Sequence, residues 1–360
     1  MKNKKNIFLI ILVILMVFIG LSMIYLSSNV NALFKYNDRF YFVKRQGIFA
    51  IIGLIMMFVI SRINILKYKK YNKIILIVCL LLMVLVLVPG IGLLKNGSRS
   101  WFSIGSIAIQ PSEFLKLALI LNIAGYLSKK HAIRSFTKDL LYPSLLSMVS
   151  FLLILLQPDF GSGVVMISSL VIIVIVAGAP MKYFIRLVIL AISGLSLLVM
   201  AAPYRLSRIM SFLNPWQDPL GSGFQIIQSL FAIGPGGLFG VGINNSVQKH
   251  FYLPEPQTDF IFSIMAEELG FIGCLFIIGI YVLIIYEGYK IATRCKDKYS
   301  AYVAIGLISL FAIQVLINLG VVVGLFPVTG ITLPLMSYGG SSLVVMLSSI
   351  GLLLSISNQD

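Results

Sequence analysis

The feature that most constrains this chain is the recurrence of apolar runs about as long as a bilayer is thick. A helix needs about 20 mostly apolar residues to cross hydrocarbon. Ten such runs are legible, at approximately 7–27, 46–62, 74–91, 111–128, 141–157, 161–180, 183–202, 260–287, 301–323 and 335–356. The first follows Lys2, Lys4 and Lys5, the flank of a signal peptide. Its apolar core is too long for one and no small-x-small cleavage site follows, so it reads as an uncleaved helix. The composition agrees: 59% of the residues are hydrophobic and only 11% are charged, where soluble domains carry about 25% charge. A water-soluble enzyme, a disordered chain, a collagen and a disulfide scaffold are excluded. The expected fold is an all-α polytopic membrane protein, residues 1–360 forming one membrane domain.

The net charge of +16 could suggest a nucleic-acid partner. Orientation explains it better. With a cytoplasmic N-terminus, 18 of the 28 Lys and Arg residues fall on inner segments, and Lys116 lies inside a span. That bias places both termini in the cytoplasm, since inner loops concentrate Lys and Arg, and no nucleic acid is needed. Cys79, Cys274 and Cys295 are too far apart to suggest a metal site or a disulfide framework.

Between the seventh and eighth runs lies a long extracytoplasmic loop, about 203–259, the only sizeable stretch that reads as non-helical. It is rich in Gly and Pro yet keeps Phe224, Ile226, Ile227, Leu230, Phe231, Phe239 and Phe251. A disordered linker would be polar; this loop should pack back onto the bundle or dip into the bilayer.

Candidate chemistry gathers on the same outer side. Arg99 precedes Trp101, and Gln110-Pro111-Ser112-Glu113 leads to Lys116. Glu113 and Lys116, three apart, share a helical face, either as a buried ion pair ordering the bundle or with Lys116 and Arg99 meeting an anionic group. Gln157-Pro158-Asp159-Phe160-Gly161 breaks two apolar helices, with Asp159 as a cap or a site carboxylate. Arg205 and Arg208 are outward exceptions to the basic bias, as phosphate-binding forks or headgroup anchors. The run Tyr252-Leu253-Pro254-Glu255-Pro256-Gln257-Thr258-Asp259 opens the eighth span, with Thr258 expected as its N-cap and Asp259 in the first turn. Glu267 and Glu268, two turns into that span, need partners; Arg208 or Lys116 would serve. Pro327, Gly330, Pro334, Gly339 and Gly340 mark a broken helix, which survives at membrane depth only against protein or a wet cavity. No GxxxxGK[ST], HExxH or GxSxG motif is present, and His131 and His250 lie on opposite sides.

Together these segments resemble the SEDS family (shape, elongation, division and sporulation) over nearly the whole chain. The run ending at Asp259 is most similar to its FtsW/SpoVE branch, of division or sporulation, rather than to the RodA branch. The resemblance implies a peptidoglycan glycosyltransferase of the bacterial cell membrane, working on the outer side. It implies that lipid II is polymerised and undecaprenyl diphosphate released. Asp259 would be the catalytic carboxylate, and Arg99, Lys116, Arg205 and Arg208 would meet the diphosphate, with Glu113, Asp159 and Glu255 around them. A class B penicillin-binding protein would be the partner, among other divisome or sporulation proteins. No cofactor is certain; Mg or Mn could assist diphosphate departure, although no ligand spacing marks a site. The competing classes are a lipid II flippase, which suits ten spans and broken helices, and a non-catalytic scaffold for the penicillin-binding protein.

Overall fold

A computed structural model describes residues 4–95, 97–105, 107–183, 185, 210 and 212–359. The elements are α1 (Lys4–Tyr36), α2 (Tyr41–Ser61), α3 (Ile65–Leu85), β1 (Gly92–Lys95), β2 (Ser98–Ile104), β3 (Ile107–Ile109), α4 (Pro111–Leu127), α5 (Leu141–Leu155) and α6 (Phe160–Val176). They continue as α7 (Phe224–Gly236), α8 (Ile261–Arg294), α9 (Lys298–Val322) and α10 (Gly340–Gln359). Among the described residues, six helical stretches are long and apolar enough to cross a membrane: α5 with its preceding turn, and α1, α2, α8, α9 and α10. The expected run 183–202 lies almost entirely outside the described residues.

Several elements begin on local signals. Asn64 caps α3 by accepting the Leu66 N–H at 2.8 Å, and Asp297 caps α9 by accepting the Ser300 N–H at 3.0 Å. Pro111 occupies the first turn of α4, where its missing N–H costs nothing. The apolar residues of α4, α9 and α10 face inward around a core that includes Leu119, Ile123, Val303, Leu307, Met346 and Ile350. The rims of α1, α2 and α3 leave Phe18, Ile51 and Ile77 outward, as lipid-facing helices do.

Two expectations are corrected. The chain is not all-α: β1, β2 and β3 form an antiparallel sheet in that order, with Lys95 opposite Ser98 and Ile104 opposite Ile107. Asn96-Gly97 is a strong two-residue hairpin signal that the count of apolar runs passes over. Nor is 203–259 free of helix, because α7 occupies 224–236. It buries Ile226, Ile227 and Ala232, a helical spacing hidden between flanking glycines and prolines. Before it, Asp218 accepts the Ser222 N–H at 2.8 Å, which holds its carboxyl below the usual carboxylate value.

The two ends of the described chain meet. Asn6 Nδ2 donates to Asn358 Oδ1 at 2.8 Å, and the Ser357 hydroxyl donates to Asn6 Oδ1 at 2.6 Å. Ser355 Oγ donates to Ile63 O, so the α2–α3 turn lies at that same end. The polar groups described next lie at the other end of α10.

Candidate active site

The site is built around a stretch with no regular structure, residues 324–339, between α9 and α10. Its backbone carbonyls are engaged by side chains from distant helices. Gln46 of α2 donates to Ser337 O at 3.1 Å and accepts from Gly339 N at 3.2 Å. Tyr281 of α8 donates its hydroxyl to Pro334 O at 2.7 Å. Gln314 donates to Thr332 O at 3.0 Å, and Asn318 to Ile331 O at 2.8 Å, both from α9. Buried irregular backbone must be satisfied in this way.

Asp259 is tied to this stretch through its main chain. Asn318 Nδ2 also donates to Asp259 O at 2.8 Å, and Tyr338 N donates to Gln257 O at 2.8 Å. The Asp259 side chain is half-buried, and its Oδ1 lies 2.9 Å from the Thr258 hydroxyl. That hydroxyl lies 2.7 Å from Glu255 O. Thr258 is therefore not the N-cap: α8 begins at Ile261, Phe260 precedes it without a side-chain cap, and the first turn holds no acidic residue. Asp259 sits in a turn just ahead of the helix, because Thr258 closes back onto Glu255. Glu255 is exposed, at a positive φ of 43°, and its visible work is to accept that turn.

On the other side of 324–339 stand α4 and α6. Lys116 Nζ lies 2.6 Å from Glu113 Oε1, both side chains buried. Asp159 caps α6, accepting Ser162 N at 3.1 Å, and its other oxygen accepts Gln110 Nε2 at 2.8 Å. Burial lifts its carboxyl above the ordinary value, and the Ser162 hydrogen bonds oppose that. A Cβ on Gly161 would meet Thr329 O at 2.8 Å, so the start of α6 packs directly on this stretch. Gln110 N donates to Ser341 Oγ at 3.1 Å. Several buried acceptors here have no protein donor: Glu113 Oε2, Gln314 Oε1, Asn318 Oδ1 and Thr329 Oγ1. Such oxygens suit a ligand rich in hydroxyl groups, since unmet buried acceptors are costly.

Not every candidate joins this centre. Arg99 is on β2, half-buried, donating weakly to Leu87 O at 3.4 Å; Ser98 and Ser100 beside it donate to Gln157 O and staple the sheet to the α5–α6 turn. Arg205 and Arg208 lie outside the described residues. Lys116 is not the partner of Glu267 or Glu268, being paired with Glu113. Lys249 Nζ reaches Glu268 Oε1 at 3.1 Å, while Ser246 Oγ and Val247 N serve Glu267 at 2.5 and 2.7 Å. The loop before α8 folds onto it, which brings these residues within reach. Gln46, Gln314 and Asn318 were missed, although polar residues within apolar spans mark functional positions by default.

Among the described residues no group of three or more His, Cys, Asp and Glu side chains could hold a metal ion. Glu113 and Asp159 are already engaged by Lys116, Gln110 and Ser162. These residues do not fit a divalent site.

Fold and site define a class: a helical multi-pass membrane protein with its polar groups buried around a broken segment at one end of the bundle. The chain belongs to the FtsW/RodA/SpoVE family of cell cycle proteins, which matches residues 6–360. Stage V sporulation protein E of Bacillus subtilis (strain 168) is 50% identical over 357 residues, covering 99% of this chain and 98% of that protein. A probable peptidoglycan glycosyltransferase FtsW of Geobacter metallireducens is 40% identical, covering 99% and 96%. A solved structure described as a peptidoglycan synthase complex coordinating polymerization and crosslinking superposes with TM-score 0.79 at 33% identity, covering 98% and 97%. The crystal structure of Thermus thermophilus RodA gives 0.71 at 30%, covering 97% and 95%.

Proposed function

We propose that this chain is a peptidoglycan glycosyltransferase that polymerises lipid II in division or sporulation. The observation that carries this reading is Asp259: a half-buried carboxylate in a pinned turn, joined through Asn318 to a broken segment that holds buried oxygens without a protein donor. Asp259 takes the proton of the acceptor GlcNAc 4-hydroxyl as that oxygen attacks the donor MurNAc C1 with inversion. Lys116, with Arg205 and Arg208, offsets the charge that develops on the departing undecaprenyl diphosphate. Glu113 fixes the Lys116 ammonium, Asp159 holds the Gln110 amide, and Glu255 closes the turn. About ten spans form one membrane domain with both termini in the cytoplasm and Asp259 outside. A class B penicillin-binding protein crosslinks the product.

The test is lipid II polymerisation by the purified protein with its partner. Asp259→Asn and Asp259→Ala are expected to abolish glycan chains. Wild-type rates in both would overturn the assignment, and translocation of lipid II without polymerisation would establish the flippase instead.

A further inference from the structure

We infer that the outward face of residues 237–252 is a lipid-contacting surface, lodged in the bilayer leaflet on the Asp259 side rather than washed by water. The inference does not depend on the reaction. It begins with charge. From Pro219 to Pro254 the sequence holds one formally charged residue, Lys249, and that side chain is turned inward, 2% exposed. Its ammonium donates to Asn244 O at 2.6 Å, to Asn244 Oδ1 at 2.8 Å and to Glu268 Oε1 at 3.1 Å. A lysine on a loop in water keeps its head in water; burying it with carboxylates carries a desolvation cost. That arrangement is natural where the alternative outside is hydrocarbon.

The outside itself is apolar. Leu238, Phe239 (78% exposed), Ile243 (66% exposed), Val247 and Phe251 project from the protein, more than scattered surface apolar residues account for. Asn244, Asn245, His250 and Tyr252 are the exposed residues here that carry polar side-chain atoms, formally uncharged and suited to headgroup depth.

Backbone geometry then fixes the depth. Helix α8 is interrupted at Gly270, whose φ is 67°, and the loop fills the gap. Val241 N and Gly242 N donate to Glu267 O and Glu268 O at 2.9 and 3.2 Å, while Phe271 N and Ile272 N donate to Gly237 O and Leu238 O at 2.9 and 3.1 Å. With these polar groups satisfied, the loop tolerates an apolar surrounding. Leu238 and Phe239 thereby lie level with Phe271 and Ile272, the start of the exposed apolar side of α8 that continues through Leu275 and Phe276. The loop surface and the lipid-facing side of the helix are one continuous face, so the same lipid covers both.

The test is depth-resolved quenching on the full chain. In a background with Cys79, Cys274 and Cys295 replaced, single cysteines at Phe239, Val247 and, for contrast, Glu255 carry an environment-sensitive nitrobenzoxadiazole. The protein is reconstituted in phosphatidylcholine–phosphatidylglycerol vesicles. The labels at 239 and 247 are expected to emit at shorter wavelength than at 255, to lose intensity to lipids brominated on the acyl chain, and to resist aqueous iodide. Iodide quenching at 239 and 247 equal to that at 255 overturns the inference. So does shielding from both quenchers, which would mean a protein-covered face. Two loop positions are read because a single substitution can misfold; monodisperse elution of each labelled protein qualifies it.

Discussion

Asn318 uses both hydrogens of its amide nitrogen, one on Asp259 O and one on Ile331 O, so a single side chain sets the turn bearing Asp259 against the broken segment. Asn318→Ala leaves two carbonyls without this donor, at a cost of about 1–3 kcal/mol per group left desolvated. The expected outcome is a lowered thermal midpoint in detergent together with a fall in polymerisation rate; an unchanged midpoint and rate would remove Asn318 from the site. The Glu113–Lys116 pair makes a different prediction. Lys116→Ala strands a buried carboxylate, and breaking such a pair costs about 3–5 kcal/mol, so the protein is expected to accumulate poorly. Replacing both partners, Glu113→Gln with Lys116→Met, is expected to restore accumulation, read by size-exclusion fluorescence. If that double variant also polymerises at the wild-type rate, Lys116 orders the bundle and does not serve the diphosphate. Both residues were legible in the sequence from their three-residue spacing, and Asp159 from the helix break it caps. Gln46, Gln314 and Asn318 were not, because their partners are backbone oxygens brought near only by folding.

Among the elements, the helices were the legible part, since an apolar run of bilayer length has few other fates. What escaped was the β1–β3 sheet, whose Asn96-Gly97 signal a count of apolar runs passes over, together with contacts set by non-local pairing. The sheet of β1–β3 closes through Ser98 and Ser100 onto Gln157 O, a contact across nearly sixty residues that no local period announces. The interruption of α8 escaped too, because Gly270 sits in a run that reads as one helix. At φ 67° and ψ −166° it occupies a region essentially reserved for glycine, and a Cβ there would lie 2.3 Å from Gly240 N. Gly270→Ala is therefore expected to destabilise by about 1–3 kcal/mol from backbone strain alone, with further loss from displacing the 237–242 loop. Gly279, in the same helix, meets nothing within 4 Å. Gly279→Ala is expected to be neutral or mildly stabilising, as Gly costs about 1 kcal/mol relative to Ala in a helix. Thermal denaturation of the two variants in one detergent decides it; equal midpoints would mean the break at Gly270 is not required.

At the scale of the whole molecule, packing decides which groups share an end of the bundle. The contacts of Asn6 with Ser357 and Asn358 gather both described chain ends at one end of the bundle, and Ser355 Oγ on Ile63 O brings the α2–α3 turn there. That turn leads into Lys67, Lys69, Lys70 and Lys73, the density of positive charge that marks a cytoplasmic face. Asp259 is joined through Gln257 and Tyr338 to the opposite end of α10. Packing sets Asp259 and the chain ends at opposite ends of α10, and the arrangement with those ends in the cytoplasm carries a prediction. In a background lacking Cys79, Cys274 and Cys295, a cysteine replacing exposed Glu255 is expected to react with a membrane-impermeant maleimide in intact cells. A cysteine replacing exposed Lys129, in the α4–α5 connection, is expected to react only after permeabilisation. The reverse pattern would turn Asp259 toward the cytoplasm. A polymerase building wall material outside the membrane could not work from there, so one labelling experiment puts both the topology and the proposed reaction at risk.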